Sequence, residues 1–218
     1  AQSGYYTVTA LAGTTATAVG AVDEAQAAAG YYTVDSNDAA KDGGASDVEP
    51  CPPGYYSSAG ATVCTQVQAG YYAVSTSGGT TATNSAAVDE TACASGTYSS
   101  AGATVCTQVQ AGYYAVSTSG GTTATNSAAV DESICTVGTF SAAGASACTT
   151  AQLGYYTVNS GGSTLSSPWQ GAVAQAQAGE GFFTIDSNGD AADSGAVGVQ
   201  QAQSGYYTVT ALAGTTAT

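Results

Sequence analysis

Six cysteines carry the most direct chemical message in this chain. They stand at Cys51, Cys64, Cys93, Cys106, Cys135 and Cys148, a C-x12-C spacing repeated three times at intervals of 42 residues. Cysteines so placed serve as metal thiolates or as disulfides. A zinc site wants ligands a few residues apart, often completed by histidine; this chain has no histidine and no CxxC pair. Disulfides in an oxidising compartment are therefore expected, because an even number of regularly placed cysteines suits a chain poor in large apolar side chains. Pairing within each unit (Cys51–Cys64, Cys93–Cys106 and Cys135–Cys148) is the expectation, and the spacing leaves longer pairings open. Each short loop closed this way is worth on the order of 3 kcal/mol.

Carboxylates come next. Asp186, Asn188 and Asp190, with Asp193 nearby, have the alternating oxygens of a calcium loop, so calcium is the one cofactor raised. Asp35-Ser-Asn37-Asp38 is a weaker counterpart. Ala191 stands where a calcium loop places glycine, and no glutamate fills the bidentate position, so an Asx turn capping a strand is the competing reading. Three Asp-Glu pairs, Asp23-Glu24, Asp89-Glu90 and Asp131-Glu132, have the residue types of acid/base couples. They recur with the repeat, which favours solvated turns. Serine and threonine are plentiful, but no histidine can activate them and Lys41 is the only side-chain amine. No phosphate-cradling loop is present. No catalytic residue is assigned, and the chain is not expected to be an enzyme.

Serine and threonine make up about a quarter of the chain, a bias associated with O-glycosylated stalks. The candidate positions are Thr14, Thr15 and Thr17, then Thr80, Thr81 and Thr83, then Thr122, Thr123 and Thr125. Bare hydroxyls bonding across strands are the alternative. There is no Asn-x-Ser/Thr sequon, so N-glycans are not expected.

Composition narrows the partners. The net charge is −14 with Lys41 the sole basic residue, which argues against nucleic acid and against anionic membrane surfaces. No segment has the apolar length of a membrane span. No start methionine or signal peptide is visible and the chain opens inside a repeat, so it reads as a piece of a longer or processed polypeptide.

The elements that position these groups follow from self-similarity. Residues 1–17 recur letter for letter as 202–218, a period of 201, and Tyr56–Glu90 recurs unchanged as Tyr98–Glu132. Such periods mark arrays whose units pack on their neighbours. A glycine followed by two aromatics, or by threonine and one aromatic, opens ten segments, at Gly4, Gly30, Gly54, Gly70, Gly96, Gly112, Gly138, Gly154, Gly181 and Gly205. Each segment start reads as a short strand, and Ser-Gly-Gly turns at 77–79, 119–121 and 160–162 suggest hairpins. Alternation places the second aromatic inward (Tyr6, Tyr32, Tyr56, Tyr72, Tyr98, Tyr114, Phe140, Tyr156, Phe183 and Tyr207) beside Val8, Val34, Val74, Val116, Val158, Ile185 and Val209. The first aromatics (Tyr5, Tyr31, Tyr55, Tyr71, Tyr113, Tyr155 and Tyr206) then form an outward row. The fold class expected is all-β, a linear tandem array of short hairpin modules stapled by disulfides, with little helix. Four stretches follow: 1–50 without cysteine, 51–156 with three 42-residue cysteine repeats, 157–201 without cysteine, and 202–218 restarting the period.

The stretch Cys51-Pro-Pro-Gly-Tyr-Tyr-Ser-Ser-Ala-Gly-Ala-Thr-Val-Cys64 resembles the ephrin-receptor-like cysteine-rich repeat of extracellular proteins, and so do the stretches 93–106 and 135–148. The likeness covers residues 51–156. In that family a C-x-x-C-x-x-G usually follows the closing cysteine; Val67, Val109 and Ala151 occupy the second cysteine positions here, leaving one bridge per unit. The resemblance implies a secreted, elongated hairpin module without catalytic activity. The expected function is a structural segment of an extracellular or cell-surface filament, O-glycosylated, whose partners are copies of itself or continuing repeats. The alternative is an adhesive module presenting tyrosines or calcium loops to glycans.

Overall fold

The computed structural model describes residues 1–9, 16, 17, 19–204, 206 and 208. Thr14, Thr15, Tyr207 and Val209, and with them most of the restart at 202–218, lie outside the described residues. The described chain is all-β, without a helix. Its 18 short strands form two-stranded sheets, each made of two strands consecutive in the sequence. Six hairpins are long, with strands of four residues: β1 (Tyr5–Val8) with β2 (Asp23–Gln26), β3 (Tyr31–Val34) with β4 (Asp47–Pro50), β7 (Tyr71–Val74) with β8 (Asp89–Ala92), β11 (Tyr113–Val116) with β12 (Asp131–Ile134), β15 (Tyr155–Val158) with β16 (Ala174–Gln177), and β17 (Phe182–Ile185) with β18 (Gly198–Gln201). Three are short, with strands of two residues: β5 (Tyr55–Tyr56) with β6 (Thr65–Gln66), β9 (Thr97–Tyr98) with β10 (Thr107–Gln108), and β13 (Thr139–Phe140) with β14 (Thr149–Thr150).

The Ser-Gly-Gly turns do not join the paired strands directly. Val74 pairs with Asp89, and the intervening loop folds back first so that Ala82 bridges Val74 from its other side. The Ala-rich stretch after Gly20 contributes strand β2.

A two-stranded hairpin is marginal alone, and its neighbours supply what it lacks. The chain divides into two compact units, Ala1–Ala94 with Ser99–Thr107, and Ser95–Tyr98 with Gln108–Thr218. In the first unit, successive hairpins are stitched by backbone bonds: Thr7 N–H to Ala45 O, Gly30 N–H to Ser57 O, Ser57 N–H to Ala87 O and Gly70 N–H to Ser99 O, at 2.8–3.1 Å. The second unit repeats the scheme with Gly112 N–H to Ser141 O, Ser141 N–H to Ala172 O and Thr157 N–H to Ala196 O.

Contact also reaches the next hairpin but one. In the first unit the opening glycines Gly4, Gly30 and Gly54 lie against the turn carbonyls of Gly60, Ala86 and Gly102; in the second, Gly96, Gly112 and Gly138 lie against those of Gly144, Gly171 and Gly195. A β-carbon on any of these six would overlap the carbonyl oxygen opposite. Gly54 shows both reasons for glycine: its φ is 78°, which L side chains rarely adopt, and the turn at Gly102 fills the space a side chain would need.

The hairpins are therefore covered on both faces, and the expected split into an inward and an outward aromatic row does not hold. The third and fourth strand positions are the fully buried ones: Thr33, Ala73, Ala115 and Thr157, beside Val8, Val34, Val74, Val116 and Val158. Both aromatics are half-buried, including Tyr5, Tyr31, Tyr55, Tyr71, Tyr113 and Tyr155. Tyr56 and Tyr71 pack together on Val67, Ala73 and Ala87 in the first unit, and Tyr98 and Tyr113 pack on Val109, Ala115 and Ala129 in the second. Val67 and Val109 are core residues.

All three expected disulfides are present, Cys51–Cys64, Cys93–Cys106 and Cys135–Cys148. They occur in the three hairpins with the shortest ladders, where covalent closure has most to add. The N–H groups of Cys51, Cys93 and Cys135 donate to the carbonyls of Gly30, Gly70 and Gly112, so each also closes the preceding long hairpin.

Gly54→Ala is expected to cost about 2–5 kcal/mol, combining left-handed strain with overpacking against the Gly102 turn. Gly78→Ala is the control: φ is 65° but nothing lies near a β-carbon, so only the strain of about 1–2 kcal/mol applies. Chemical denaturation of the two variants measures the difference.

Candidate functional site

The Asp-Glu pairs are turn clamps. In β8, Asp89 Oδ1 accepts the Glu90 N–H at 2.9 Å, while Oδ2 accepts Ser77 Oγ–H at 3.0 Å and the Gly78 N–H at 3.1 Å. Glu90 accepts both the N–H and the side-chain amide of Gln68, at 2.8 and 2.6 Å. Asp131 and Glu132 repeat the arrangement with Ser119, Gly120 and Gln110. Glu24 accepts the Gln2 N–H, and in β16 the neutral Gln175 does the same for Gln152. The glutamate's role survives loss of its charge, so it is that of an acceptor. Sequence reasoning missed this pairing, although a Gln two residues before the opening glycine and a Glu 22 residues later were there to be read.

Backbone donation governs the electrostatics. The Glu90 amide, then Gly78 and Ser77, hold the Asp89 carboxyl below the ordinary aspartate range. The Glu132 amide leads the same effect at Asp131. Burial pushes the Tyr56 and Tyr98 hydroxyls up, and the neighbouring carboxylates reinforce it, so both phenols stay protonated at neutral pH. The Asp89 and Asp131 carboxylates thus close their turns as ionised acceptors, with protonated phenols nearby.

The Asp186 loop closes on itself. Asp186 Oδ1 accepts the N–H groups of Asn188 and Asp190 at 2.8 and 2.9 Å, and these backbone bonds, Asp190 first, lower its pKa. Asp35 does the same with Asn37 and Ala39. Asn159 builds the same turn with Gly161 and Ser163 using an uncharged side chain. This is the Asx turn that the sequence offered beside calcium. The structure brings Asp186, Asn188 and Asp190 into one turn and leaves Asp193 exposed beyond it. Among the described residues, no three His, Cys, Asp or Glu side chains group in a way that could hold a metal ion.

The candidate hydroxyls sort into two kinds. Thr80, Thr81, Thr122 and Thr123 are exposed on loop tips. Thr17, Thr83 and Thr125 are half-buried, and their hydroxyls donate to the carbonyls of Val19, Ser85 and Ser127. Three buried serines went unnoticed in the sequence. Ser57, Ser99 and Ser141 donate to the carbonyls of Tyr31, Tyr71 and Tyr113 at 2.7–2.9 Å, tying each short hairpin to the one before it. Their signal was a constant serine at the strand position that long hairpins fill with Thr or Ala.

No protein-family model matches the chain, and no curated protein matches it. Three disulfides are the chemistry of an oxidising environment, such as the cell exterior.

Acid should loosen the clamps. Because the folded pKa values of Asp89 and Asp131 are depressed, the stability they contribute is present above the unfolded value of about 4 and is lost as pH falls through the folded values. Melting temperature is expected to be level from about pH 8 to 5 and to drop below about pH 4. The double variant Asp89→Asn, Asp131→Asn should melt lower at neutral pH and converge with the parent in acid, as followed by circular dichroism.

Two buried threonines differ in what their hydroxyls meet. Thr33 Oγ–H donates to the Lys41 carbonyl, whereas the buried Thr157 hydroxyl has no partner among the described residues. Thr33→Ala should cost about 1 kcal/mol, while Thr157→Ala should be neutral or stabilising. Alanine already occupies this position at Ala73 and Ala115. Urea titrations of both variants provide the comparison.

Proposed function

We propose that this chain is a structural segment of an extracellular or cell-surface filament, with O-glycans on its exposed threonine loops. The observation that carries the reading is the return of residues 1–17 as 202–218. A sequence that comes back to its own opening repeats the same contacts along its course, as closed globules do not. The stitching of successive hairpins within both compact units supports it, because its backbone bonds are ones that a further repeat can make again. The resemblance of residues 51–156 to ephrin-receptor-like repeats points the same way, as do the disulfides. Thr80, Thr81, Thr122 and Thr123 are the attachment points favoured by exposure. The scaffold reading ranks above the adhesive one because the tyrosine row that an adhesive surface would use is half-buried except at Tyr206.

Negative-stain imaging of native material is expected to show filaments. Mass spectrometry of the same material is expected to find sugar mass on peptides containing Thr80–Thr81 and Thr122–Thr123. Discrete particles that do not associate would overturn the filament reading, and bare peptides would overturn the glycan.

A further inference from the structure

The chain has asparagine at Asn37, Asn84, Asn126, Asn159 and Asn188, and only Asn188 is followed by glycine. The Asn188-Gly189 bond lies in the loop between β17 and β18, and both residues are exposed. That exposure belongs to the hairpin design, because the loop tips at Asn37, Ser77, Ser119 and Ser160 are exposed in the same way. Gly189 has a φ of 88°, and nothing lies within 4 Å of a β-carbon placed on it.

The turn around this bond is built by Asp186, whose Oδ1 accepts the N–H groups of Asn188 and Asp190. The Asn188 carboxamide takes little part: its Nδ2–H donates to Asp186 Oδ2 at 3.3 Å. Asn159 is the opposite case, since its own carboxamide oxygen accepts the N–H groups of Gly161 and Ser163 and is held as part of the turn. Asn37 gives the nearest comparison. Asp35 Oδ1 accepts the N–H groups of Asn37 and Ala39, and the Asp38 N–H donates to the Asp35 carbonyl at 3.1 Å, as the Gly189 N–H does to the Asp186 carbonyl at 3.1 Å. The two loops share their backbone bonds and differ in the residue after asparagine. It is Asp38 at a φ of 60° in one and Gly189 in the other.

We propose that Asn188 is a site of spontaneous deamidation. The Gly189 backbone nitrogen gives up its proton to a solvent base and attacks Asn188 Cγ. The N–Cγ bond forms, the Cγ–Nδ2 bond breaks, and the amide nitrogen leaves as ammonia with a proton from water. Water then opens the five-membered succinimide at either carbonyl. One opening gives aspartate; the other gives isoaspartate, with the main chain rerouted through the side chain. Glycine favours the ring closure because it has no β-carbon to crowd the attacking nitrogen. The bond from the Gly189 N–H to the Asp186 carbonyl must open first, so the folded chain reacts slowly. Either product sets a third carboxylate beside Asp186 and Asp190. Isoaspartate also lengthens the backbone between the two N–H groups that Asp186 Oδ1 accepts, so the turn loosens as the protein ages. The assignment is independent of the filament reading.

Prolonged incubation of the full disulfide-bonded chain in neutral buffer, followed by peptide mass spectrometry, tests it. Asn188 is expected to convert to the acid about tenfold faster than Asn37, because only its neighbour lacks a β-carbon. The product is expected to be a substrate for protein isoaspartate methyltransferase, since direct hydrolysis of the amide gives aspartate alone. Exchanging the following residues separates the chemistry from the position. Gly189→Asp is expected to slow Asn188 to the rate of Asn37, and Asp38→Gly to raise Asn37 to the rate of Asn188. Each loop receives the residue its counterpart already carries at positive φ, and melting temperature checks that both variants fold. Equal rates at Asn188 and Asn37 in the parent, a product without isoaspartate, or rates that ignore the exchange would overturn the proposal.

Discussion

The close approach of an opening glycine to the turn of the next hairpin but one is the contact on which the rest of the packing depends. It brings two backbones together with no side chain between them. At that distance the strand edges of successive hairpins can bond directly, and small residues suffice to fill what remains. Valine, alanine and threonine occupy the fully buried positions, and the larger tyrosines lie half-covered around them. A chain with few leucines and isoleucines can be ordered because its stability is distributed over many short backbone bonds and thin apolar contacts, repeated from hairpin to hairpin. The disulfides belong to the same logic. They appear where the ladder shrinks to two residues and the backbone contribution is smallest.

Much of this was legible in the letters. The glycine-aromatic punctuation marked the hairpins, and C-x12-C marked the bridges, because both are local features whose chemistry is complete within a few residues. The two-sided burial of the strands was not legible. Alternation assumes one wet face, and here the neighbouring hairpins cover both; Tyr71 and Tyr113 are core contacts for a reason that lies tens of residues away. The seats were hidden for the same reason. Gly54 declares its need for positive φ through its identity, but nothing in its surroundings names Gly102 as its partner.

The acidic groups show how a repeat separates a residue's role from its charge. Gln175 stands in for a glutamate and Asn159 for an aspartate, and each keeps the backbone bonds of the residue it replaces. The paired carboxylates and the alternating oxygen loop both spend their oxygens on backbone N–H groups of turns. The net charge of −14 acts at longer range and disfavours non-specific association.

The seated glycines also bear on how such a chain matures. Each seat joins positions fewer than sixty residues apart, from Gly4 and Gly60 to Gly112 and Gly171. No distant segment has to be found before the first hairpins settle, so order can advance from one end at the pace of synthesis or export.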